Sequence, residues 1–402
     1  MSAFTRRSFL GTAAAAVGSF AALQKVIGAD RSKSDPGPTN PMLDGQNPDS
    51  MWPPATDTKE LVQAFKYPFS FANKRTYEGG WSREVTVREL PVSKTMAGVN
   101  MRLTAGGFRE LHWHTAGEWA IMLYGNARIT AIDLEGKSFV ADVGKNDLWF
   151  FPSGIPHSIQ GLNPDGCEFM LVFDDGTFSE SDTLLLSDTI SHLPREVLAK
   201  NFAVSQEAFK NVPKEELFIF QTDVPGSLEA DQKAAAGTRG RSPQNLAFRT
   251  MRMAPTMKTK GGEVRIVDSS NFKASTTAMA LVTVHPGGLR ELHWHPNADE
   301  WQYYISGKGR MTVVATADKA RTMDFQAGDV GYVQKTFLHY IENTGDADLV
   351  FLEMFGKVDR FQDLSFSEWL AHTPPEAVMA HLRIDRATYD VIPKNGGVVM
   401  PL

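Results

Sequence analysis

Arg109-Glu110-Leu111-His112-Trp113-His114 and Arg290-Glu291-Leu292-His293-Trp294-His295 are the same six residues in the same order. A glutamate follows each run: Glu118 four residues after His114, Glu300 five after His295. A further histidine comes later, His157 in one copy and His339 in the other. Residues two apart on a strand face the same side, so each His-x-His pair sends both imidazoles into one space. If the strand continues past His114, Glu118 keeps that face. The extra residue before Glu300 falls in Pro296-Asn297-Ala298-Asp299, a turn-prone stretch that can absorb it as a bulge. Three neutral imidazoles and one carboxylate leave two positions open around an octahedral divalent ion. That suits manganese, iron, cobalt or nickel better than a closed structural zinc site. An open position is what a catalytic metal requires. Six of the ten histidines belong to these two sets. His192, His285, His372 and His381 read as surface, core or capping residues.

The two copies stay in frame well beyond the histidines. His112 and His293 are 181 positions apart, while Asp147/Asp329, His157/His339 and Phe173/Phe355 are each 182 apart. His192/His372 and Pro194/Pro374 are 180 apart, so the first copy is two residues longer between Phe173 and His192. A register held this long means two homologous domains. Their local pattern is that of strands. Glu84-Val85-Thr86-Val87-Arg88-Glu89-Leu90 alternates, and residues 127–132, 169–173, 263–267 and 279–284 are strand-like. Many short strands with frequent turns predict an all-β sandwich or barrel in each half. One or two short helices are expected in residues 184–216, and another helical stretch in 365–382. The domains are placed at 57–223 and 244–402, with 224–243 as a linker by its Gly, Pro and Ala content.

A net charge of −6 offers no basic surface for nucleic acid or anionic lipid. Any attraction for an anionic substrate must be local. The single cysteine, Cys167, excludes an intrachain disulfide and reads as a small core hydrophobe. Thr5-Arg6-Arg7-Ser8-Phe9-Leu10 and the apolar run over 12–23 form a twin-arginine signal, with cleavage expected after Ala29. Residues 30–56 read as an extended arm. Export to the periplasm or medium by the twin-arginine route is the expectation. It would let a folded protein load its metal before leaving the cytoplasm. No stretch is long enough to span a membrane.

Gly106-x5-His112-x-His114-x3-Glu118-x6-Gly125 resembles the first cupin motif, repeated from Gly287 to Gly307. The second motif is looser. Asn146 stands for its opening Gly and Gly161 for its closing Asn, while Gln334 and Thr336 replace a Pro and a Gly in the later copy. From about residue 60 onward the chain resembles the bicupin oxalate decarboxylases. Asp147-Leu148-Trp149-Phe150-Phe151-Pro152-Ser153-Gly154, Phe173-Asp174-Asp175-Gly176 and Glu300-Trp301-Gln302-Tyr303-Tyr304-Ile305-Ser306-Gly307 carry the likeness. It implies two tandem double-stranded β-helix (jelly-roll) domains with short flanking helices. It also implies Mn2+ in each, dioxygen as cofactor, oxalate as substrate, and a homo-oligomer, trimer or hexamer.

In that family a short lid carries the proton donor. The matching stretch is Ser179-Glu180-Ser181-Asp182-Thr183, inside the segment that is longer in the first copy. The resemblance therefore casts Glu180 as proton donor and Arg109 as the guanidinium that holds oxalate, with Arg290 its counterpart. Glu353 is a candidate in the second site. The commonest lid reads Ser-Glu-Asn-Ser-Thr, so Ser181 and Asp182 depart from it, and Asp182 adds a negative charge. With proton delivery the products are formate and carbon dioxide. Without it the alternative is an oxalate oxidase giving carbon dioxide and hydrogen peroxide. A non-catalytic manganese-binding cupin would need neither Arg109 nor Glu180.

Overall fold

The computed structural model describes Asn40, Thr58 and residues 62–316, 319–396 and 398–401. The signal and all of the arm but Asn40 lie outside the described residues. Each half builds two facing antiparallel sheets around an apolar interior, as the strand patterns predict. In the first half the sheets share the fifteen-residue strand Glu118–Ile132. Its start pairs with Asp147–Phe151 and Cys167–Phe173. Its end pairs with Ser138–Gly144 and His157–Gly161. The crossing comes at Gly125, where φ is 72° and a Cβ would sit 2.0 Å from the carbonyl oxygen of Gly166. Only glycine fits there. In the second half the chain breaks at the matching Gly307, φ 83°, into Glu300–Ser306 and Lys308–Val314.

Two of the motif departures adopt the left-handed backbone that glycine favours. Asn146 and Thr336, standing for glycines, have φ of 67° and 70°. Asn tolerates this left-handed region better than a β-branched Thr does.

The domain boundaries do not confine the sheets. Lys66–Pro68 pairs with Asp329–Val333 of the second half, and Ala247–Arg249 pairs with Asp147–Phe151 of the first. Each half thus lends its leading strand to the other's sheet. The exchange covers an edge that would otherwise expose unpaired backbone groups.

Two local expectations change. The strand expected over 84–90 is Gly80–Val85, and a turn follows. There Glu89 accepts from the amide and hydroxyl of Thr86, both at 2.9 Å, so local side-chain bonding defeats the ladder. The linker contains the helix Leu228–Ala236, capped by Ser227 and tied to the barrel by Gln232 donating to the carbonyl of Val140 at 2.9 Å. Its Ala-rich interior is a good helix former between loop-like flanks. Residues 184–216 hold two α-helices, Leu186–Ser191 and Arg195–Phe202, and 365–382 hold Phe366–Ala371 and Pro375–Leu382. Cys167 is fully buried, and burial pushes its thiol up to about 12, which makes it an inert core group. No described helix is long and apolar enough to cross a membrane.

Candidate metal centres

His112 lies on the strand Gly107–Trp113, where Arg109 and His112 flank a register shift against His157–Gly161. That places His112 opposite His157. The strand ends at Trp113, so His114 lies in the turn and Glu118 opens the next strand. The expectation that one strand carries all three ligands is therefore corrected. Glu118 reaches the imidazoles from the next strand along the chain, at an end that pairs with Phe151 and Phe173 rather than with the histidine strand. The second half repeats this with Leu289–Trp294, His295 in the turn, and Glu300 opening its strand. The additional residue lies in the turn, where it costs no ladder pairing.

His112, His114, Glu118 and His157 bring one donor atom each within 4.8 Å of one another, all buried; His293, His295, Glu300 and His339 do the same. Backbone carbonyls orient every ring. Nδ1 of His112, His114 and His157 donates to Glu110, Ala116 and Ile155 at 2.6, 2.8 and 2.7 Å. Nδ1 of His293, His295 and His339 donates to Glu291, Gln362 and Phe337 at 2.6, 2.8 and 3.1 Å. This leaves each Nε2 lone pair facing the centre. Nε2 of His157, His293, His295 and His339 is buried without a hydrogen-bond partner, as is Oε1 of Glu118. Orphaned acceptors converging in a dry space fit a divalent cation.

The electrostatics agree. Burial, then the charge of Arg109, holds His112 well below the ordinary imidazole value; burial and Arg290 do the same for His293. Burial alone would raise Glu118, but His157 and His114 outweigh it and hold the carboxyl at about 2. His295 differs, because the Glu300 carboxylate 3.2 Å from its Nε2 outweighs burial and raises it.

The glutamate inside the repeated run has a role the sequence did not disclose. Glu110 accepts from the amide and hydroxyl of Ser187 at 3.0 Å and from the amide of Phe218 at 2.7 Å. Glu291 accepts from the hydroxyl of Ser365 at 2.9 Å and the amide of Val398 at 3.0 Å. Each buried carboxylate ties the histidine strand to the helical segment beside it.

Around the first centre, Arg109, Ile159, Leu171, Phe173, Phe178, Glu180 and Thr183 join His112, His114 and Glu118 in one cavity. The space open to a water's centre is about 10 Å³, enough for about one molecule. The residue pairings locate the length difference. Leu184 and Leu185 pair with Trp113 and His112, as Leu364 and Ser365 pair with Trp294 and His293. The two additional residues therefore lie between Phe173 and Leu184, the segment that holds the expected lid. Glu180 opens a short 3-10 turn whose cap is Ser179, and its side chain is buried. Ser181 and Asp182 are exposed, so the charge of Asp182 faces solvent rather than the cavity.

Two partners of the Glu180 turn are not among the residues singled out from the sequence. Arg75 lies 3.0 Å from the Glu180 carboxylate, and Glu84 accepts from the Glu180 amide at 3.0 Å and the Ser179 hydroxyl at 3.3 Å. Both come from the strands Arg75–Tyr77 and Gly80–Val85. At the corresponding positions of the second copy stand Met257 and Ile266. Comparing the copies position by position would have flagged both.

The two arginines of the repeat are in different states. Arg109 stacks 4.0 Å above the Phe218 ring, and among the described residues its only hydrogen-bond partner is the Phe218 carbonyl at 3.4 Å. Arg290 is fully buried against Glu353 at 2.9 Å and Asp363 at 3.0 Å. At the matching positions of the first copy stand Leu171 and Thr183. The expectation that Arg290 binds substrate meets a guanidinium already neutralised by two carboxylates, one of them Glu353.

The cupin family model matches residues 69–210 and 249–390. The chain is 52% identical over 370 residues to the oxalate decarboxylase OxdC of Bacillus subtilis, covering 92% of this chain and 94% of that one. The chain is a bicupin of the oxalate decarboxylase family. A probable oxalate decarboxylase of Arthroderma benhamiae is 39% identical, with 89% and 88% covered. A solved structure of the Bacillus subtilis enzyme, studied for its Mn(II) centres, matches with a TM-score of 0.88 at 50% identity, covering 93% of this chain and 98% of that one. This bicupin has two matched donor sets, and its two additional residues lie beside the first of them.

Proposed function

We propose that this chain is a manganese-dependent oxalate decarboxylase that turns over at its first centre. The observation that carries the assignment is that Arg109 and Glu180 share the first cavity, and among the described residues no carboxylate pairs with Arg109 at close range as Glu353 and Asp363 pair with Arg290. Manganese held by His112, His114, His157 and Glu118, together with dioxygen, would supply the reversible one-electron oxidation that weakens the carbon–carbon bond of oxalate.

The protein's own groups do the rest. Arg109 meets one carboxylate of the dianion by charge-assisted hydrogen bonds. Oxalate needs more room than one water, so the lid opens to admit it and closes over it. Phe173, Phe178, Ile159 and Leu171 then exclude bulk water. Burial raises Glu180 despite the opposing charges of Arg109 and Arg75, so it keeps its proton at a higher pH than an ordinary glutamate. As carbon dioxide leaves, Glu180 delivers that proton to the remaining carbon. The balance is one oxalate dianion and one proton to one formate and one carbon dioxide.

The test is oxalate turnover by metal-analysed protein, with formate and peroxide measured together. Near-stoichiometric formate supports the assignment. Dominant peroxide makes the chain an oxidase, and neither product makes it a metal-binding cupin. Export by the twin-arginine route is proposed from the sequence alone, and fractionation of producing cells tests it. Assembly into a homo-oligomer is proposed on the exposed Val197, Phe202, Trp369 and Leu382 of the helical segments, and light scattering tests it.

A further inference from the structure

The two donor sets match, but what stands behind their glutamates does not. In the second centre Oε1 of Glu300 accepts from the amide nitrogen of Gln302 at 2.7 Å, and the amide oxygen of Gln302 accepts from the hydroxyl of Tyr304 at 3.0 Å. Gln302 and Tyr304 are fully inaccessible to solvent. The direction of the chain of bonds is forced. A carboxylate can only accept, so the NH2 of Gln302 faces it and the tyrosine must donate. Oε2 of Glu300 is left facing His339, 2.8 Å away.

In the first centre the corresponding residues are Ala120 and Met122, and Oε1 of Glu118 has no partner. The difference is accommodated across the sheet. Gln302 sits opposite Gly331, where a Cβ would come 2.5 Å from the Gln302 amide oxygen. Ala120 sits opposite Trp149. Bulk has moved from one strand to the other, so the Gln–Tyr pair has a place only in the second barrel. The repeat otherwise preserves its metal site, which makes this a built difference.

A hydrogen bond to the outer oxygen of a ligating carboxylate withdraws charge from it and holds it in one orientation. Less donated charge favours the lower oxidation state of the ion it holds. We propose that Tyr304 and Gln302 are positioning residues that keep the second metal divalent and Glu300 bound through one oxygen, so that redox turnover is left to the first centre. This rests on the manganese assignment above. It adds that the two centres are set apart from behind their glutamates as well as by the lid.

The experiment uses full-length protein loaded with manganese, and reads Mn(II) by electron paramagnetic resonance. Wild type, Gln302→Leu and Tyr304→Phe are compared, each before and after a one-electron oxidant, hexachloroiridate(IV), which takes one electron from Mn(II) to give Mn(III). The signals of the two centres are told apart with a His112→Ala protein, which keeps only the second. Expected results are an altered fine structure of the second-centre signal in Gln302→Leu, and loss of its resistance to the oxidant. Tyr304→Phe should change the signal in the same direction but less, since the amide remains. An unchanged fine structure and unchanged resistance in both variants overturn the proposal. If Gln302→Leu fails to fold or to bind metal, Tyr304→Phe decides alone by the same two readouts. Formate production by wild type tests the assignment of function separately, so the two failures are distinguishable.

Discussion

Arg75 and Glu180 are 105 positions apart in the chain, yet the guanidinium of one lies 3.0 Å from the carboxylate of the other. The pair ties the lid of the first centre to the outer strand of its own barrel. Glu84 completes the clamp by accepting from the lid backbone. In the second barrel Met257 and Ile266 stand at the positions of Arg75 and Glu84.

Replacing Arg75 by Met should loosen the closed lid without touching the metal ligands. One charge-assisted hydrogen bond lost from the closed state corresponds to about a tenfold fall in formate turnover. Peroxide should rise as a share of product, and metal content should stay at the wild-type level. A product ratio and rate equal to wild type would remove Arg75 from lid closure.

The pH dependence follows from the direction of the Glu180 shift. Its carboxyl is raised, so the proton donor is present below the shifted value and is lost as pH rises through it. Formate turnover should therefore fall on the alkaline side. Arg75 opposes the shift, so Arg75→Met should move that limb to higher pH. Glu180→Gln should abolish the limb and lower formate production by about 100- to 10,000-fold, with metal retained. Rate profiles with metal analysis check both.

Arg109 and Arg290 should respond oppositely to the same change. Arg109→Met removes a group facing the cavity, so oxalate turnover should collapse while thermal stability changes little. Arg290→Met strands Glu353 and Asp363, and breaking such a buried pair costs about 3–5 kcal/mol. Its melting temperature should drop clearly. Calorimetry beside steady-state kinetics separates the two, and equal destabilisation by both would contradict the contrast.

Glu110→Ala should destabilise the first domain by about 3 kcal/mol, because three donors lose a charged acceptor. Limited proteolysis should then cut the helical segment near Ser187 first. Wild-type resistance there would show that Glu110 does not anchor it.

The sequence alone determined the two barrels, the two donor sets and the longer segment beside the first of them. Those rest on residue type and spacing: His-x-His on a strand, a register of about 182 positions, and a two-residue excess in one copy. The exchanged leading strands were not legible, because a three-residue strand carries no mark of which sheet it joins. The route by which Glu118 reaches the metal was not legible either, since a turn and a continued strand can deliver the same side chain. Most of all, the identical Arg-Glu-Leu-His-Trp-His runs hide two different arginines. Whether such a charge is free for a substrate depends on carboxylates brought to it from distant positions. Glu353, Asp363 and Arg75 became partners only when distant segments closed on one another, whereas Gln302 meets Glu300 two residues away on its own strand, a contact that residue type alone does not announce.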